Sequence, residues 1–388
     1  MRFSRTVWLL GIVSLLADVS SELLYPVLPV YLREAGYSMI VLGMLEGLSQ
    51  VIAGLSKGYF GHLSDGAHQR QRFVQAGYGL SAFGKLLLLY QPGLLRIFLA
   101  RGIDRLGKGV RSAPRDALLA AEAAPEQRAR VFGFHRGMDT LGAALGPVLA
   151  LLWLYFYPGD YDGVFVLAVV PAVLSTACTF LVKDMHAASV TGKGKQPGFF
   201  SYLGFWKNST GDFRRLMAPL LLFALVNSPD VFLLMALKEA GLSDLRMIAA
   251  YIVYNLLYAA FAYPVGALAD KVGKRKVLCA GILLFAAVYA CMTRSVEFHW
   301  FVILFGVYAL AIAAIESVVK AAIVDIVPAN DRGKALGFYM STGSIGTLVA
   351  GVWTGALWTW GGPSAVFSIT AVAAFLAGVW LVRQNSQG

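Results

Sequence analysis

A chain of 388 residues that is 58% hydrophobic and only 14% charged has too little charge to cover a water-exposed surface, since a soluble domain carries about a quarter charged residues. Its mean hydropathy is +0.65. The net charge of +11 does not point to nucleic acid, because the basic residues gather in short loops between apolar runs and on one helix face. Cys178, Cys279 and Cys291 all lie in apolar segments, with neither metal-ligand spacing nor a paired framework, so no metal and no cofactor are expected.

In chain order, Arg2 and Arg5 precede an apolar run that continues past Asp18 to Tyr31. That is too long for a removable signal peptide and predicts an uncleaved first membrane span. Further spans are predicted at about 38–60, 73–91, 94–121, 130–157 and 163–182. The second half repeats this with about 214–237, 245–265, 276–293, 298–323, 334–359 and 364–383. The expected fold is therefore an all-α polytopic membrane protein of twelve spans. It divides into a six-helix bundle over 1–182, a linker over 183–213 and a second bundle over 214–388. Arg70, Arg72, Arg128, Arg130, the 183–215 run, Lys271, Lys274, Arg275, Lys276, Arg332 and Lys334 share one side. The positive-inside rule then puts both termini in the cytoplasm of a cell whose inner membrane the chain crosses. The linker carries GKGKQPG and then the aromatic octet 199–206, which suits either a membrane-interface segment or a plain tether.

Charges inside apolar spans mark the candidate site. On span 4, Arg101, Asp104, Lys108, Arg111 and Arg115 fall within an arc of roughly 80° of one helix face, with Arg105 beside it. Four or five such charges facing lipid would cost on the order of 10 kcal/mol, so they must face water or one another. Span 1 carries Asp18 and Glu22 one turn apart, with Tyr25 nearby. Span 5 carries His135, Arg136 and Asp139, and span 10 carries Glu316 and Lys320. Glu46, Lys85 and Asp230 add to spans 2, 3 and 7. His135 is expected to be a packed histidine.

The halves repeat. Arg33-Glu-Ala-Gly36 matches Lys238-Glu-Ala-Gly241, and Gly61-His-Leu-Ser-Asp65 matches Gly266-Ala-Leu-Ala-Asp270, both at an offset of 205. Pro125-Glu-Gln-Arg128 matches Ala329-Asn-Asp-Arg332 at 204, and Gly133 matches Gly337. Such duplication is the mark of carriers built from repeated units. Through GALADKVGKRK at 266–276, and its blurred first copy from Gly61, the chain resembles the major facilitator superfamily over its whole length. The resemblance implies a gating role for Gly61, Asp65, Gly266, Asp270, Gly273 and Arg275 at the cytoplasmic edge. Gly133, Gly142, Gly146 and Pro147 stand at the spacing of the family's antiport motif, although Ala150 and Leu151 replace its closing glycines. Span 4 of the family carries an arginine tied to proton coupling, a role open here to Arg101 or Arg105. By the same resemblance spans 1, 4, 7 and 10 line a central cavity.

These residues lead to one functional expectation, a proton-coupled carrier, not an enzyme, moving a small anionic or zwitterionic solute by alternating access. Arg101, Arg105, Lys108, Arg111, Tyr25, Glu316 and Lys320 are the substrate-binding candidates. Asp18, Glu22, Asp104 and Asp139 are the proton-coupling candidates. Asp104, within a turn of three bases, suits a fixed counter-ion; Asp18 and Glu22 have no base within two turns of their own helix and are favoured as carriers. An interior-negative potential drives an anion outward with about 2.3 kcal/mol per charge at 100 mV, which favours efflux and antiport. A symporter importing a siderophore or carboxylate and a multidrug pump are the alternatives. The partners expected are solute, protons and the bilayer, with no nucleic acid and a monomeric state.

Overall fold

The computed structural model describes residues 4–65, 70–90, 93–122, 128–182, 204–294, 298–328 and 331–385. Among them every regular element is helical. The first half comprises α1 (Arg5–Leu24), α2 (Val27–Glu34), α3 (Met39–Asp65), α4 (Arg70–Leu86), α5 (Leu94–Ala121), α6 (Arg128–Phe156) and α7 (Tyr161–Thr179). The second comprises the short α8 (Phe205–Asn208), then α9 (Gly211–Val226), α10 (Val231–Glu239), α11 (Asp244–Val272), α12 (Lys274–Met292), α13 (Phe298–Ile326) and α14 (Arg332–Asn385). Nine stretches of the described residues are long and apolar enough to cross a membrane. Neither α4 nor α5 is among them: α4 is a short 17 residues, and α5 carries eight charged side chains. The 54-residue α14 is broken at Gly362, where φ is 68°, a left-handed value that glycine adopts without strain.

Two predicted spans are not single helices. The first breaks at Tyr25–Pro26 into α1 and α2, and the seventh breaks at 227–230, around Pro229, into α9 and α10. Proline lacks the amide hydrogen that would continue the ladder, so both breaks have the same cause. Each short second helix then ends in the same way. The Gly36 amide donates to the Arg33 carbonyl and the Tyr37 amide to that of Leu32, at 3.1 and 3.0 Å. The Gly241 and Leu242 amides repeat this on Lys238 and Leu237, at 3.0 and 3.1 Å. Gly36 and Gly241 have φ of 84° and 83°. The paired E-A-G sequences are thus one glycine C-cap used twice.

The chain resolves into two compact units, Met1–Tyr31 with Leu48–Phe199 and Leu32–Gly47 with Phe200–Gly388. The stretch 32–47, inside the predicted first bundle, joins the second unit because α3 packs there on α14. A Cβ on Gly47 would meet the Leu348 Cα at 2.6 Å. In the first unit α1 packs on α6 and α7, and α4 packs on α5. In the second, α12 and α13 pack together and α14 lies against α9 and α12. Of the aromatic octet, Phe205 meets Phe213 and Trp206 stacks on Phe338 at 5.7 Å; residues 199–203 lie outside the described residues.

Candidate functional site

The first unit holds a polar cluster built on α5. A Cβ on Gly77 of α4 would stand 2.5 Å from the Arg111 Cβ, so the two helices touch through backbone. That approach brings Lys85 of α4 to Asp104, Nζ to Oδ1 at 2.8 Å, with both side chains over 90% buried. The Asp104 carbonyl also accepts from the Ser81 hydroxyl. Arg111 donates to the Ser81 hydroxyl and lies over the Tyr78 ring at 4.3 Å. Arg115 donates to Asp116 at 2.9 and 3.0 Å and to the Ser14 hydroxyl of α1 at 3.1 Å. Arg101 is buried, and Arg105 and Lys108 are half-buried.

The α1–α6 contact supplies the acidic side of this cluster. A Cβ on Gly142 would lie 2.5 Å from the Leu15 carbonyl and 3.1 Å from the Asp18 Cβ. One turn on, a Cβ on Gly146 would lie 2.7 Å from the Val19 carbonyl and 2.8 Å from the Glu22 Cβ. The glycines of the predicted antiport motif therefore seat α6 directly on the Asp18–Glu22 face. Pro147 follows inside α6, and Gly133 lies in its first turns. Asp18 is within electrostatic reach of Lys108, Arg111 and Arg115 on α5 and of Asp139 on α6. His135 is 4% exposed, and its Nδ1 lies 3.5 Å from the Asp139 Oδ2.

The second unit carries a tyrosine–carboxylate cluster. Asp230, at the α9–α10 break, accepts from the Tyr308 hydroxyl at 2.6 Å and from the Tyr254 hydroxyl at 3.2 Å. Tyr254 and Tyr308 stack with centroids 5.5 Å apart, and Ser228 shares a hydrogen bond with Tyr289 at 2.8 Å. Glu316 accepts from Tyr258 at 2.8 Å, and Lys320 is exposed one turn further along α13. Glu316 and Glu46 both act electrostatically on Asp230. Tyr25 closes α1 at the first helix break.

At one end of this unit, Gly273, φ 108°, joins α11 to α12. Lys274 bridges Asp270 at 3.7 Å and Asp325 at 2.6 Å. With Arg275 they line a cleft of about 400 Å³. Gly266 lies in α11 with open space at its Cβ position. In the first copy Gly61 and Asp65 lie in the last turns of α3, and their side-chain surroundings are outside the described residues.

Sequence reading named the α5 charges but gave no role to Lys85, Ser81 or Tyr78, nor to the tyrosines around Asp230. A lone lysine in an apolar span was the available signal for Lys85, since such a charge needs a partner. Tyrosines in apolar runs carry no comparable signal.

A family model described as Major Facilitator Superfamily matches residues 10–253 and 220–387. An uncharacterized MFS-type transporter of Methanocaldococcus jannaschii is 30% identical over 385 residues, which is 98% of this chain and 94% of the relative. The multidrug resistance protein MdtH of Aeromonas hydrophila is 27% identical over 184 residues, 47% of this chain and 45% of its own. The crystal structure of the nucleoside transporter NupG matches with a TM-score of 0.83 at 13% identity, covering 98% of this chain and 99% of that one. At that identity it shows the fold alone.

Proposed function

Because the chain belongs to the major facilitator superfamily, and is a multi-pass membrane transporter and not an enzyme, we propose that it is a proton-coupled carrier of a small anionic or zwitterionic organic solute. The observation that carries this reading is the charge of α5, which holds six basic residues (Arg96, Arg101, Arg105, Lys108, Arg111, Arg115) and two acidic ones. Asp104 is engaged by Lys85, and Asp116 by Arg115. The guanidinium fork suits carboxylates and phosphates, and a membrane-embedded surplus of bases favours a ligand that brings negative charge. Twelve crossings, with the short α4 and the charged α5 included and α14 counted twice, bundle boundaries at 1–182 and 214–388, and cytoplasmic termini in an inner membrane complete the proposal. Export by antiport is favoured, since the membrane potential itself drives an anion outward.

A second reading rests on the other unit. Asp230 and Glu316 accept from tyrosine hydroxyls among stacked aromatic rings, and carboxylates with π-faces suit an ammonium group. That favours a zwitterion over a simple anion, and with the MdtH likeness it supports a multidrug pump of cationic compounds as the alternative. Flux into proteoliposomes of labelled organic anions, amino-acid-like zwitterions and lipophilic cations, with and without a pH gradient, separates these readings. Anions or zwitterions should move and respond to the gradient; transport of lipophilic cations alone would overturn the proposal.

A further inference from the structure

His135 and Asp139 face each other inside the first unit, in the first turns of the apolar stretch of α6, and each leaves one buried polar atom unused. The His135 Nε2 and the Asp139 Oδ1 have no hydrogen-bond partner, and the Tyr78 hydroxyl of the same unit is likewise without one. A buried polar atom left unsatisfied costs about 1–3 kcal/mol, so two on one facing pair need a reason. The pair is not isolated. Asp18 of α1, Arg115 and Asp116 of α5 and Arg136 of α6 all act electrostatically on His135, and Asp139 acts on Asp18. Gly142, one turn beyond Asp139, keeps the α1 backbone in contact with this part of α6, so no side chain separates the two helices.

We propose that His135, oriented by Asp139, is a proton-carrying residue of the transport cycle, in communication with Asp18 across the α1–α6 contact. This rests on the reading of the chain as a proton-coupled carrier. The Nδ1 faces a carboxylate, so the neutral ring keeps its hydrogen there and leaves the Nε2 lone pair open. A proton arriving from the aqueous phase adds to Nε2. The imidazolium retains Nδ1–H toward the Asp139 Oδ2, and the same proton later leaves Nε2 for water on the other side. One N–H bond forms and one breaks, and no other reactant is required. Asp139 is here a positioning residue that holds the tautomer and compensates the charge while the ring is protonated.

The test needs no knowledge of the transported solute. In a chain whose three cysteines are replaced by serine, spin labels at Arg72→Cys and Arg383→Cys report conformational populations in nanodiscs between about pH 5.5 and 8. Infrared difference spectra over the same interval report imidazole protonation. The parent chain should change its distance distribution with pH and show a histidine ring band that disappears in His135→Gln. Asp139→Asn should displace that band and remove the pH response, and Asp139→Glu should restore both. If the parent shows no pH response, the proton-coupled reading itself fails and this assignment with it. If the parent responds and His135→Gln responds equally, with no ring band lost, only the assignment of His135 is overturned. Where His135→Gln does not fold, Asp139→Asn decides, because an unshifted ring band in that variant contradicts the orienting role.

Discussion

Lys85 and Asp104 show how one buried charge in this chain is tolerated. Each is almost wholly buried and they meet at 2.8 Å, so removing either strips the other of its hydrogen-bonded counter-charge, although Arg105 and Arg101 also act electrostatically on Asp104. Breaking a buried pair from one side costs about 3–5 kcal/mol, whereas removing both partners is often close to neutral. Lys85→Ala should therefore lower the melting temperature of the purified protein markedly, and Lys85→Ala with Asp104→Ala should recover most of the loss. An additive double variant would mean that the pair contributes nothing specific. Lys108 is a different case. It is half-buried, and Asp18 and Glu22 act on it electrostatically from α1. Lys108→Ala should weaken solute binding by about tenfold or more, the scale of one charge-assisted contact, with the melting temperature nearly unchanged. Binding of whichever anion the proteoliposomes transport, measured calorimetrically on the variant, checks this, and unaltered affinity would remove Lys108 from the site. The α5 charges were legible in the sequence because charge inside an apolar span is costly wherever it points. Which cation meets which carboxylate was not legible, because that depends on the rotation of α4 against α5.

The α1–α6 contact carries the argument at the level of the helix. Sequence spacing singled out Gly142, Gly146 and Pro147, but it could not say what those small residues touch. Backbone contact at the Asp18 and Glu22 turns is the answer, and it follows from how tightly two helices approach when one presents no Cβ. Gly146→Val would place a branched side chain within 2.8 Å of the Glu22 Cβ and the Leu23 amide. Overpacking of this kind costs about 1–3 kcal/mol where the neighbours are backbone and cannot move aside. Gly137 lies on the same helix with nothing within 4 Å of its Cβ position, so Gly137→Ala should be neutral or slightly stabilising through helix propensity. Thermal unfolding of the two variants side by side tests the contact. Equal melting temperatures would show that α6 is free to move away from α1. The same scale explains why two of the predicted spans are each made of two helices. Hydropathy runs on through Pro26 and dips only briefly at Asn227-Ser228-Pro229-Asp230, and the missing amide hydrogen at each proline accounts for both breaks.

Across the whole chain the duplication is now visible helix by helix. Shifting α3 by 205 gives 244–270, and α11 runs from Asp244 to Val272; shifting α5 gives 299–326, and α13 runs from Phe298 to Ile326. The glycine caps at Gly36 and Gly241 keep the offset of 205, and the proline breaks at Pro26 and Pro229 fall within two residues of it, so the repeat lies in local backbone chemistry as much as in hydropathy. That is why so much of the fold could be read from composition, periodicity and a few turn residues. The tyrosines around Asp230 could not, because an aromatic side chain reads as apolar until its hydroxyl finds a partner. Under the proposed function, the repeat assigns gating to its loop residues and binding to the charges inside the spans. Asp270 lies at the end of α11, where Lys274 ties it to Asp325 of α13 around the Gly273 turn, while the intramembrane charges lie within the spans. Asp270 is 71% exposed at its side chain, and an exposed ion pair contributes only about 0–1 kcal/mol to stability. Losing it should leave the fold intact and act on the conformational equilibrium instead. Asp270→Asn is expected to slow solute exchange in proteoliposomes several-fold while keeping equilibrium affinity within a few-fold of the parent. The two quantities are measured separately, by the exchange rate at zero gradient and by binding to the detergent-purified chain. A hundred-fold loss of affinity with exchange otherwise normal would place Asp270 in the binding site and remove it from the gate.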